Sequence, residues 1–187
     1  MRPVTRDEIL DYQTWMDERP ARRPAVLAIK DARRVSLGEH LVFLFENHDT
    51  VWYQIQEMMR VEQIVRERDI QHEIDTYNEL LGGPGELGSC LLIGVADPAE
   101  RAVKLRDWRD LLPTLYAELP DGRRVRPTWD PRQVDPDRVS SVQYLKWDTG
   151  GQAPVALGCE HPDAALSGRV ALSDGVREAL SADLSGS

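Results

Sequence analysis

The chain has 187 residues, a formal net charge of −9, and 41% hydrophobic against 29% charged side chains. A domain of this size buries about 70% of its unfolded surface, so no disulfide, metal or partner is needed for folding, and the chain is too apolar to be disordered. The acidic balance runs against nonspecific nucleic-acid binding, no apolar run reaches the roughly 18 residues of a membrane span, and Met1 opens no charged-then-apolar leader, so a cytoplasmic protein is expected.

Thr5 and Glu8 have capping-box spacing, which predicts a first helix over residues 5–17. Pro20 and Pro24 are expected to end it, with a second short helix over 25–32. Residues 34–37 and 40–46 read as a hairpin around Gly38-Glu39. Asn47 to Thr50 supply helix N-caps, and helical spacing from Val51 predicts the longest element, reaching Arg68. A further helix over 70–81 stops at Gly82-Gly83-Pro84.

Nine of the twelve prolines lie from Pro84 onward, where the pattern becomes mostly strand-like. Strands are expected at 87–95, 139–147, 155–159 and 170–172, helices at 98–112 and 174–182, and a hairpin at 115–119 with 123–126 around Asp121-Gly122. Residues 128–138 read as a loop. The sum is one α+β domain over 1–184, mainly antiparallel sheet with a long central helix and several shorter ones, followed by a flexible tail at 185–187.

Two stripes on the long helix break the usual pattern. Val51, Ile55, Met58, Glu62 and Val65 share one face, so Glu62 stands among apolar residues and either meets a cation, binds a metal or is protonated. Tyr53, Glu57, Arg60 and Ile64 share the other, with Gln54 and Gln56 beside them. That stripe reads either as an exposed face with an intrahelical Glu57–Arg60 pair or as the wall of a polar cavity, where amides and phenol bind a ligand, Glu57 accepts a proton and Arg60 clamps an anion.

Histidines 40, 48, 72 and 161 form no HxH or HExxH motif, and the diiron bundle signature is absent. Glu46, His48, Glu57 and His161 remain a candidate set for iron, manganese or zinc if folding brings them together. Cys90 and Cys159 lack a CxxC spacing and read as buried thiols, and no Ser/His/Asp or Cys/His nucleophile is supported.

The segment FENHDTVWYQIQEMMRVEQI, from Phe45 to Ile64, resembles the uncharacterised bacterial family numbered 3501 among the domains of unknown function. Ala32-Arg33-Arg34 with Leu37-Gly38, residues 73–78, residues 141–145 and residues 158–162 extend the likeness along nearly the whole chain. The matching polar positions are Glu46, Tyr53, Gln54, Gln56, Glu57, Arg60, Glu62, Asp75, Tyr77, Asn78 and His161. The resemblance implies no established activity. It does imply a genomic setting beside rubrerythrin-like proteins and an iron–sulfur oxidoreductase subunit, hence an accessory role in peroxide or oxygen-stress chemistry. This chain itself lacks the cysteines to hold an iron–sulfur cluster.

The first expectation is therefore a binding or accessory protein with a polar pocket on the helix at 50–68. The alternative is a small enzyme in which Glu57 is a base or metal ligand, Arg60 holds an anionic substrate, and Tyr53 or His161 completes proton transfer. A third reading makes all of these groups one satisfied structural network.

Overall fold

The structure, a computed structural model, describes residues 1–133 and 135–186. Val134 of the expected loop and Ser187 of the expected tail lie outside the described residues. The helices are α1 (Tyr12–Asp31), α2 (His48–Glu62), α3 (Glu67–Asn78), α4 (Pro98–Asp107) and α5 (Asp174–Ser185). The strands are β1 (Arg34–Leu37), β2 (Leu41–Glu46), β3 (Glu86–Ile93), β4 (Leu115–Glu118), β5 (Arg124–Val125), β6 (Val142–Asp148), β7 (Ala156–Cys159) and β8 (Gly168–Ala171). They form two antiparallel four-stranded sheets, ordered β1-β2-β3-β6 and β5-β4-β7-β8. This is the expected α+β fold, with both hairpins where their glycines predict them.

The main core lies between the sheets. Phe43, Leu91 and Trp147 from the first sheet meet Leu115, Ala117 and Leu157 from the second, with Trp108 and Leu180 added by the helices. Strand alternation then turns Leu44, Glu46, Cys90, Tyr144 and Lys146 to the other face of the first sheet. A second apolar cluster joins Val51, Ile55 and Met59 of α2 to Ile70 and Ile74 of α3 and to Val4 and Ile9.

Several expectations on the helices need correction. Thr5 and Glu8 do form a capping box, but on a single 3₁₀ turn, and α1 starts only at Tyr12, where the Asp11 carboxylate accepts from Gln13 N and Thr14 N. This helix then runs through Pro20 and Pro24. An interior proline costs about 3 kcal/mol, and here packing on α2 offsets it. Trp15 and Val26 are buried, the Arg22 guanidinium lies 5.4 Å from the Trp52 ring centre, and the Lys30 ammonium lies 5.2 Å from that of Tyr53. Third, α2 stops at a left-handed Gln63 (φ 53°, ψ 42°) rather than at Arg68. Its buried stripe is Val51, Ile55 and Met59, not the one through Met58, so Glu62 is exposed at the helix end and Val65 is 72% exposed beyond it. The last helix also continues past 182, absorbing Ser185 of the expected tail.

Gly88, in the middle of β3, fixes how the helical layer meets the first sheet. A Cβ there would lie 1.7 Å from the Leu80 carbonyl oxygen, in the turn that follows α3. The chain after α3 thus presses directly onto the sheet, a contact that only glycine permits. Gly88→Ala is expected to cost at least about 2 kcal/mol and to lower Tm by roughly 5 °C or more. Gly175→Ala, in α5 with open space around it, serves as the control and is expected to be neutral or mildly stabilising in thermal melts.

Candidate functional site

The polar stripe of α2 faces α1. Glu57 is held by Arg19 through two hydrogen bonds of 2.7 and 2.9 Å, by Arg60 at 3.3 Å and by the Trp15 indole N–H at 3.1 Å. Burial acts to raise its pKa, but the bonds from Arg19, Arg60 and Trp15 outweigh that and hold it at about 2. Glu57 and Arg60 are therefore each other's partners. Tyr53 is buried, its ring centre 5.8 Å from that of Trp15. Gln56 is fully buried, with Oε1 accepting from Leu10 N at 3.2 Å and Nε2 left without a partner. The side chain of Gln54 shares a hydrogen bond with the Tyr77 phenol.

The remaining positions are spread across the molecule. Asn78 ties the N-terminal segment to α3, accepting from Val4 N at 2.8 Å and donating to Val4 O at 2.9 Å. Asp75 is exposed and accepts from Gln71. His48 contacts Arg2 and Glu8 beside a shallow cavity of about 400 Å³ that also touches Arg22 and Trp52. His161 is buried in a turn where its Nδ1 accepts from Asp163 N at 3.1 Å, and Asp163 in turn accepts from the Trp108 indole at 2.8 Å. Among the described residues, no group of three or more His, Cys, Asp or Glu side chains is placed to hold a metal ion. Glu46, His48, Glu57 and His161 do not converge.

A larger cavity, about 710 Å³, opens on the outer face of the first sheet. Its walls are Thr76 and Tyr77 from the end of α3, Leu80 from the turn after it, Tyr144 and Lys146 from β6, and Trp129 with its loop neighbours. The loop is fastened to the sheet by two backbone hydrogen bonds of 2.8 Å between Thr128 and Lys146. Strand register orders this face of the sheet: Glu46, Gly88 and Lys146 form one cross-strand row, and Leu44, Cys90 and Tyr144 the next, and of these Tyr144 and Lys146 line the cavity.

Burial raises the pKa of several groups on this face of the sheet. Burial pushes the Glu46 carboxyl up, against the favourable Lys30 charge and a 2.5 Å bond donated by the Thr50 hydroxyl. The Cys90 thiol is pushed up to about 12, mainly by burial and then by Glu46. Burial also raises Tyr77 and Tyr144, and Tyr144 feels Cys90, Tyr77 and Glu46 as well.

The family described as "Protein of unknown function (DUF3501)" matches residues 3–184. The chain belongs to that family. Its fold is similar to the crystal structure of a protein of unknown function from Burkholderia pseudomallei, with TM-score 0.88 and 27% identity over 98% of this chain and 100% of that one. A comparison with curated proteins yields no match. No helix among the described residues of this DUF3501 protein is long and apolar enough to cross a membrane.

Of the cavity residues, Tyr77 was among the polar positions read from the sequence, whereas Trp129, Tyr144 and Lys146 were not. A signal for them exists. In Val142–Asp148, Tyr144 and Lys146 alternate with Leu145 and Trp147, so an aromatic and a cation share the face away from the core, and Gly88 marks a close approach in a facing strand.

Glu57 carries a pH signature. Its folded pKa of about 2 lies below the ordinary 4.5, so its stabilisation is complete above about pH 4.5 and lost as pH falls toward 2. Glu57→Gln is expected to cost on the order of 2–3 kcal/mol at pH 7, with the gap to wild type narrowing over that interval in thermal melts. A variant equal to wild type at pH 7 contradicts the structural role.

Proposed function

We propose that the protein is a noncatalytic binding protein that holds a small polar organic molecule in the 710 Å³ cleft between α3, β6 and the loop around Trp129. One observation carries the reading: Tyr77, Trp129, Tyr144 and Lys146 line a single concave volume, within the roughly 300–1,000 Å³ range of small-molecule sites. Aromatic faces supply contact area and a few polar groups supply orientation. The proton-bearing Tyr77 and Tyr144 of the lining suit hydrogen bonding.

The polar pocket moves in this reading from the α1 side of α2 to the sheet side of α3, with Gln54 joined to it through Tyr77. The enzyme alternative loses support because Glu57 and Arg60 neutralise each other and His161 belongs to a separate turn. An accessory role in the cytoplasm, toward a rubrerythrin-like or iron–sulfur redox protein, is part of the proposal and is supported by the family resemblance.

Ligand-observed NMR against a library of polar fragments tests the cleft. The expected outcome is a set of hits whose binding to wild type weakens at least tenfold in Tyr144→Ala, a variant that should fold because Tyr144 is 43% exposed. Hits that bind Tyr144→Ala and wild type equally, or no hits at all, overturn the proposal.

A further inference from the structure

The chemistry of the cleft narrows the ligand class. The chain has only three lysines, Lys30, Lys104 and Lys146. Lys104 pairs with Glu100 at 2.9 Å and lies 3.3 Å from the His40 ring, and Lys30 lies over the Tyr53 ring. Lys146 alone lines the cleft, half-buried, and has no ion-pair partner among the described residues.

The other cation at the cleft is already matched. Arg132 is bound to Asp130 within the same loop and also feels Glu79. The Glu79 carboxylate also lines the cleft, and the carboxylates of Glu73 and Glu62 act on Tyr77. The carboxyl that shares the cross-strand row of Lys146, Glu46, lies two strands away with Gly88 between them and accepts from the Thr50 hydroxyl, and it forms no ion pair with Lys146. A half-buried lysine with no ion-pair partner among the described residues offers a site for an anion supplied from outside.

The cleft therefore combines an unpaired lysine with aromatic surface. Lys146 and Tyr144 are neighbours on one face of β6, Trp129 adds a second ring, and Tyr77 offers a neutral hydrogen-bonding group on which nearby carboxylates act. We infer that the cleft binds a small planar organic acid, its ring against Tyr144 and Trp129 and its carboxylate on the Lys146 ammonium. This rests on the reading of the cleft as a small-molecule site and adds the charge and shape of the occupant.

Matched probes separate the two levels. Affinities of 2-naphthoate and its neutral amide, 2-naphthamide, are measured by titration NMR at low salt with wild type, Lys146→Gln and Tyr144→Ala. The expected result is that wild type binds the carboxylate at least tenfold more tightly than the amide, and that Lys146→Gln erases this preference while leaving amide affinity within about twofold. Tyr144→Ala is expected to weaken both. Equal affinities in wild type, or a preference that survives Lys146→Gln, overturn the anion assignment while the cleft reading stands on its fragment hits. Binding of neither probe also overturns the assignment. Binding that ignores Tyr144→Ala as well removes both.

Discussion

The contact between the Leu80 carbonyl and the backbone of Gly88 organises the functional face of this protein. A strand residue with any side chain would hold the end of α3 away from the first sheet. With glycine there, α3 descends onto the sheet, Tyr77 comes within electrostatic reach of Tyr144, and the cleft gains its upper wall. Cleft shape thus follows from one close approach.

A second constraint holds the helical layer itself. Glu57 gathers Arg19, Arg60 and the Trp15 indole at one point between α1 and α2. A half-buried carboxylate is stable there because bidentate and charge-assisted bonds exceed its desolvation cost. With the cation–π contacts of Arg22 and Lys30, this network lets α1 pass both prolines without breaking.

Much of the fold was legible in the residues themselves, because hairpin glycines, strand alternation and the Gly82-Gly83-Pro84 stop act locally. What escaped was long-range. Proline rules alone break α1, since the partners that hold it lie on α2, far along the chain. Stripe assignment on α2 failed by one residue, Met58 for Met59, and so put Glu62 on an apolar face that it does not share. The unusual chemistry of Tyr53, Gln56 and Glu57 was visible, but spacing cannot tell a packed interface from an open pocket. The cleft draws its residues from α3, β6 and a loop, and only the strand register brings them together. Membership of a family of unknown function agrees with the resemblance read from Phe45 to Ile64 and leaves the chemistry to be argued from these side chains.

The most direct measurement is two-dimensional amide NMR of the uniformly labelled protein, mapping which resonances move as 2-naphthoate is added. The account predicts saturable shifts concentrated at residues 76–80, 128–132 and 144–146. Shifts concentrated around Glu8, Arg22 and Trp52, or along the Tyr53–Glu57 stripe, would contradict it.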